Sequence, residues 1–109
     1  MVTHQRRKSE AVFKAIADPT RREILHLLRP GGRTVGAIAA NFRTSRPGIS
    51  RHLRLLRSAG LVVTRKRGTS RICELNGKPL QAVNQWLREF EVFWDASLQQ
   101  LKKYVEENP

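Results

Sequence analysis

Ser45, Arg46, Ser50, Arg51 and Arg54 fall within ten residues, and their side chains carry the donors that read nucleic acid. Arginine can donate two parallel hydrogen bonds to guanine O6 and N7, and serine can serve several base edges or a phosphate. At 100° per residue, Ile49, Leu53 and Leu56 fall on one side of a helix. Arg46, Pro47, Ser50, Arg51 and Arg54 gather on the other side or its flank. His52 falls nearer the apolar side. The free N–H groups of the helix start add a site suited to a phosphate, which Thr44 and Ser45 adjoin.

A second basic group follows. Leu61 to Lys66 and Ser70 to Leu75 read as two strands around a turn at Gly68, and Arg65, Lys66, Arg67, Thr69 and Arg71 crowd that hairpin. They suit contact with phosphate or an adjacent minor groove. The plainer alternative is protection of an exposed strand edge, for which Lys and Arg are also used.

The charge balance agrees with a polyanionic partner. Among 109 residues, 21 Lys and Arg outweigh 9 Asp and Glu, for a formal charge of +12. No carboxylate occurs from residue 24 to residue 73, a window that also holds Arg29, Arg33, Arg43 and Arg57. Exclusion of carboxylates from one face is what phosphate would demand. Cys73 is the single cysteine, so an intramolecular disulfide is excluded. Its alternation with Leu75 reads as a small buried hydrophobe, with a redox-sensing thiol as the alternative. Arg6-Arg7-Lys8 precede no apolar run of the signal-peptide kind, and no segment is long enough to span a membrane. The expectation is a cytoplasmic protein.

The elements that must position these groups can be read from caps and periodicity. Residues 1–8 read as a flexible lead. Ser9 suits the cap of a first helix carrying Val12, Phe13 and Ile16. Asp18-Pro19 opens a second helix with Ile24, Leu25, Leu27 and Leu28, and Pro30-Gly31-Gly32 stops it. Thr34 suits the cap of a short third helix with Val35, Ile38, Ala39 and Phe42. Ser45 caps the fourth, and Gly60 suits its left-handed end with Leu61 packing back. Residues 34–59 thus form a helix-turn-helix and residues 61–75 a wing, in one domain spanning 1–109.

After Asn76-Gly77, Pro79 opens a last helix predicted to run without interruption over 79–107. Leu80, Val83, Leu87, Phe90, Trp94, Leu98, Leu101 and Val105 recur every three or four residues, and Trp86, Phe93 and Tyr104 widen the stripe. Such a helix would extend roughly 40 Å at about 1.5 Å per residue, more than a domain of this size can cover. The predicted dimer interface is Val12, Phe13, Ile16, Leu87, Phe90, Phe93, Trp94, Leu98 and Leu101. A stripe at this spacing is also what core alone would give. The fold class is mainly α with a small β-hairpin, in the order α-α-α-α-β-β-α.

Nothing points to catalysis or a metal. His4, His26 and His52 are each separated by more than twenty residues, and no Cys-x-Cys, Cys-x₂-Cys or His-x₃-His pair exists. No Gly-rich phosphate loop, paired carboxylate or nucleophile-with-base arrangement occurs. The chain is expected to be neither an enzyme nor a cofactor protein.

Two blocks carry a family resemblance. Ala17-Asp18-Pro19-Thr20-Arg21-Arg22 with Ile24-Leu25, and Ser45-Arg46-Pro47-Gly48-Ile49-Ser50-Arg51-His52-Leu53 with Leu56 and Ala59-Gly60-Leu61-Val62, are similar to the ArsR-type winged-helix repressors of bacteria. The likeness runs from about Val12 to Val105. It implies a homodimeric transcriptional regulator, usually a repressor, that leaves its operator when a signal arrives; a twofold dimer would meet a palindromic site in double-stranded DNA. It also implies that Arg46, Pro47, Ser50 and Arg51 face DNA and that residues 61–75 are the wing. The metal-sensing members carry Cys-x-Cys in the third helix, where this chain has Gly36-Ala37-Ile38. Other members bind zinc on a last helix bearing histidine, which this chain lacks, so no metal is expected. Two further departures are Cys73, where the wing usually has an aromatic, and Gly48, where alanine is common and whose bareness would loosen the first turn. Two rival readings remain at this point. One is a non-specific architectural DNA- or RNA-binding protein; the other is a module that uses the Trp86–Trp94 helix to hold an unlike protein.

Overall fold

Each of the first four helices begins where its cap side chain stands. The computed structural model describes residues 3–108, His4 by its backbone only. In chain order it holds α1 (His4–Ile16), α2 (Pro19–Leu28), α3 (Val35–Ala39), α4 (Arg46–Ser58), β1 (Val62–Arg67), β2 (Ser70–Leu75), a 3₁₀ turn (Lys78–Leu80), α5 (Gln81–Arg88) and α6 (Glu91–Glu107). Asp18, Thr34 and Ser45 accept from the N–H three residues on, at the starts of α2, α3 and α4. The α1 start corrects the sequence reading. Thr3, rather than Ser9, caps it by accepting from the Arg6 N–H, and the Ser9 hydroxyl donates instead to the Gln5 carbonyl. Residues 4–8, expected to be flexible, are thus helical; Met1 and Val2 lie outside the described residues.

The corner between α1 and α2 explains the Ala-Asp-Pro-Thr-Arg-Arg block. A helix end leaves its last carbonyls without intrahelical donors. Arg21 Nε and Nη2 donate to the Ala15 and Lys14 carbonyls at 2.6 and 2.9 Å. Arg22 Nη1 donates to those of Ile16 and Ala17 at 2.8 and 3.2 Å. Both arginines are therefore occupied in closing α1. Asp18 Oδ2 accepts from the Arg21 N–H at 3.0 Å, and its neighbour Pro19 begins α2.

The core is small and continuous. Val12, Ala15, Ile24, Leu25, Leu28, Ile38, Ile49, Leu53, Leu56, Leu61, Val62 and Cys73 are buried together. α4 ends in a left-handed glycine: Gly60 has φ +79°, its N–H donates to the Arg57 carbonyl, and the Leu61 N–H donates to that of Leu56, both at 2.9 Å. β1 and β2 pair antiparallel from Val62↔Leu75 to Arg67↔Ser70. Gly68-Thr69 connects them, with positive φ (+59°) at the glycine, as a type II′ turn requires. Arg33 exchanges two backbone bonds with Cys73, at 3.0 and 2.8 Å, so β2 is covered on its outer side. Gly32, read from sequence as a helix terminator only, also serves this approach: a β-carbon there would collide with Ile72 Cγ2 and Glu74 Cγ.

The single last helix is corrected to two. The Glu89 and Phe90 N–H groups bond to the Trp86 and Leu87 carbonyls, i to i−3, before regular α-bonding resumes from Trp94 to Phe90. The tighter turn re-aims the axis. Before it, Trp86 meets Phe13 edge-on at a centroid distance of 5.9 Å and Phe90 at 5.1 Å, which locks α5 to α1. Beyond it, every residue of α6 is exposed. The radius of gyration, 18.6 Å, exceeds the roughly 13 Å of a compact domain of this length because α6 projects. No helix among the described residues is long and apolar enough to cross a membrane.

The Asp18 cap gives a stability prediction. Its carboxyl is held below the usual carboxylate range, chiefly by the Arg21 N–H, with burial opposing and the charges of His52 and Arg21 assisting. A lowered folded pKa means stabilisation that is complete above the unfolded value, about 3.9, and is lost as pH falls through the folded one. Asp18→Ala should cost about 1 kcal/mol in urea unfolding at neutral pH. The gap to wild type should close below about pH 4; a gap that stays constant to pH 2 would remove the charged cap from the account.

Candidate nucleic-acid interface

The apolar stripe of α4 decides what the helix can show. Ile49, Leu53 and Leu56 are each wholly buried. Arg46, Pro47, Arg51 and Arg54 are exposed on the remaining surface, as are Thr44 and Ser45 just before it. The first turn is closed, against the expectation that Gly48 would loosen it. Ser45 Oγ accepts from the Gly48 N–H at 3.2 Å, and a β-carbon on Gly48 would lie 2.6 Å from Thr44 Cγ2. The missing side chain is the space in which Thr44 sits over the helix start. The Arg46 guanidinium lies beside Gly36 of α3, 3.9 Å from where a β-carbon there would be.

The hairpin divides its cations between two faces, since direct cross-strand partners share a face and successive residues alternate. Thr64 and Cys73, and Lys66 and Arg71, are such partners on the face toward α4. Arg65, Arg67 and Glu74 lie on the opposite face, where Arg65 Nε is 3.2 Å from Glu74 Oε2. Arg65 is therefore partly neutralised, which its sequence position did not reveal. Thr69 stands in the turn.

Between α4 and the hairpin lies a cleft of about 360 Å³ lined by Val35, Ser50, Leu53, Arg57, Thr64, Arg71 and Cys73. Ser50 is half-buried at this cleft rather than projecting freely. Arg57 was absent from the sequence-predicted site, yet at 100° per residue it falls between Arg46 and Ser50 on the helix wheel. It stands exposed over the cleft opposite Arg71. The signal was present; the residue's place near the C-terminal end of the helix obscured it.

The predicted dimer residues divide as well. Val12 is only 2% exposed and belongs to the subunit's own core, so it has no surface to offer. Phe13, Ile16 and Leu87 are half-buried. Phe90, Phe93, Trp94, Leu98 and Leu101 are exposed, Phe93 and Leu98 at 67% and 63%. Among the described residues no three His, Cys, Asp or Glu side chains come together in a way that could hold a metal ion.

Known proteins share this arrangement. A family profile described as a helix-turn-helix domain matches residues 16–65. The transcriptional repressor SdpR of Bacillus subtilis is 44% identical over 79 residues, 72% of this chain and 88% of that protein. A crystal structure of an ArsR family transcriptional regulator superposes with TM-score 0.73 at 34% identity, covering 87% of this chain and 97% of the other. The solution structure of the homodimeric winged helix-turn-helix DNA-binding domain of Mb0332 from Mycobacterium bovis, a possible ArsR-family regulator, gives TM-score 0.62 at 32% identity, over 85% and 83% of the two chains.

The thiol at the floor of the cleft yields a test. Burial pushes the Cys73 pKa up, against smaller lowering effects of the Thr64 hydroxyl and the Arg57 charge. Iodoacetamide should alkylate native Cys73 at least about tenfold more slowly than the urea-unfolded chain at pH 8, because thiolate and access are both scarce. Equal rates would place the thiol in solvent.

Proposed function

The chain belongs to the ArsR family of winged helix-turn-helix transcriptional regulators, and from that premise we propose that it represses transcription as a homodimer bound to a palindromic operator. It is a DNA-binding transcriptional regulator. The observation that carries the fuller reading is the exposed, carboxylate-free surface running from Arg46 along α4 to Arg71 of the wing, opposite a fully buried stripe. On this reading α4 enters the major groove. Arg46, Ser50 and Arg51 address base edges, while Thr44, Ser45 and Arg54 set phosphate register. Arg57 and Arg71, with Lys66, grip a phosphate between helix and wing. Arg67 and Thr69 reach the flanking backbone, and Arg65 contributes less because Glu74 holds it.

The exposed apolar residues of α6, with Phe13, Leu87 and Phe90, support pairing with a second copy, which would set two α4 helices on one side of the duplex; Ile16, expected from sequence to join them, instead lines a cleft within the subunit. The protein would work in the cytoplasm, with no enzymatic step and no metal.

Selection of bound fragments from a random duplex pool, followed by competition with random DNA and with RNA at fixed salt, tests the whole reading. A specific regulator yields one enriched palindrome that survives competitor; an architectural protein or an RNA binder yields none. On the selected site Arg51→Ala should cost about 1–3 kcal/mol and relax preference at one base position. Arg67→Ala and Arg71→Ala should instead weaken selected and random DNA alike, each lowering the salt slope by about one. If Arg51→Ala lost affinity equally on all sequences, it would be a phosphate contact. For the dimer, Phe93→Glu with Leu98→Glu should give a folded monomer by light scattering with operator affinity lost. A monomeric wild-type protein would refute the pairing.

A further inference from the structure

A second cleft, away from α4 and the hairpin tip, has a different chemistry. It encloses about 330 Å³ between the end of α1, one face of α2, the end of β2 and the 3₁₀ turn. Ile16, Leu25, Leu75 and Leu80 form its apolar walls, and Arg22, His26 and Arg29 stand along one edge. At 100° per residue Arg22, Leu25, His26 and Arg29 share one face of α2, so a single helix supplies both part of the wall and the basic row.

Among the described residues the cleft holds no carboxylate. Glu23 is turned about 100° away on α2 and lines a separate hollow with Leu27, Asn41 and Phe42, which His26 also borders. Glu74 faces the other side of the hairpin from Leu75 and is paired with Arg65. Arg22 is committed to the α1 carbonyls. Arg29 and His26 are exposed and make no side-chain hydrogen bond or ion pair among the described residues. Four aliphatic side chains thus border an open hollow whose charge is all of one sign. Its volume is at the lower end of small-molecule sites.

We propose that this cleft binds a small lipophilic carboxylate, its apolar body against Ile16, Leu25, Leu75 and Leu80 and its charge toward Arg29 and His26. Burial of apolar surface supplies the affinity and the basic edge supplies the sign. A lipophilic cation would meet like charge, and a neutral molecule of the same size would leave the edge unused. The bound ligand touches the foot of α5 and the closed end of α1, so it sits where the C-terminal helices join the DNA-reading half.

The test is a methyl NMR titration of the full chain, without DNA, using octanoate, octan-1-ol and octylammonium. Octanoate should shift the Ile16, Leu25, Leu75 and Leu80 methyl signals saturably, and the other two should bind at least about tenfold more weakly, the scale of one charge-assisted contact. Arg29→Glu should impose a similar loss on octanoate. Leu80→Trp, which fills the cleft and keeps its charge, should also block binding, so one misfolded variant cannot decide the outcome. Octanol binding as well as octanoate, shifts confined to Val92, Leu98 and Leu101 of α6, or no saturable shift would each overturn the proposal. Because no DNA is present, such a failure is distinct from failure of the operator reading.

Discussion

The burial of Ile49, Leu53 and Leu56 is the constraint on which the remaining structure depends. Each aliphatic side chain taken out of water contributes roughly 1.5–3 kcal/mol, so three in one stripe fix the rotation of α4 about its own axis. Once that rotation is set, the rest of the helix has no freedom: Arg51 and Arg54 must face away from the stripe, and Arg46, Ser50 and Arg57 must line the flank beside it, the last two at the cleft with the hairpin. The ends are set with equal firmness. Ser45 closes the first turn and the Gly60–Leu61 reversal closes the last, so neither fraying nor a register slip can re-aim the face. The reversal also delivers Leu61 and Val62 into the core, which ties the wing to the helix it accompanies.

The arginines divide into two chemical roles according to what lies near them. Arg21 and Arg22 stand beside helix-end carbonyls and are used up there. Arg21 also comes within 3.4 Å of His52 Nδ1, and His52 lies 3.9 Å from Asp18, so the α1–α2 corner touches the back of α4 directly. A disturbance of α1 therefore has a short polar route to α4. Among the described residues the arginines of α4 and the wing have no such carbonyls and, apart from Arg65, no carboxylate within reach. With acids excluded from residue 24 to residue 73, their charge remains available to an outside anion.

Much of this was legible because it rests on local chemistry. Asp18, Thr34 and Ser45 are cap residues followed by apolar periodicity, and Gly60 ends a helix because glycine adopts its left-handed φ without a β-carbon penalty. What escaped reading depends on tertiary neighbours. The α5–α6 break has no proline or glycine to announce it; it arises where the helix leaves the support of α1 and Phe90 turns onto Trp86. Val12 and Phe13 are adjacent and equally apolar, and only the packing of α1 shows that the first is core while the second meets Trp86. Arg65 is indistinguishable from Arg67 in sequence, since its partner Glu74 lies across the hairpin. Thr3 and Ser9 compete as caps, and the basic run between them obscured the earlier one.

The exposure of α6 makes the subunit incomplete in a specific sense. A single exposed leucine on a soluble domain needs no explanation, but Phe93, Trp94, Leu98, Leu101, Tyr104 and Val105 along one projecting helix form a continuous apolar surface. The break at Glu89–Phe90 turns that surface away from its own core, so burying it by folding back would require undoing the Trp86–Phe90 contact. Pairing with an identical helix removes the same surface from water with no such cost, and twofold symmetry then relates the two α4 helices automatically. The same subunit surface cannot be both the DNA face and the pairing face, because the first is defined by charge and the second by its absence. On the proposed pairing, that separation would let α6 set the spacing of two α4 helices without contributing any contact to the sequence being read.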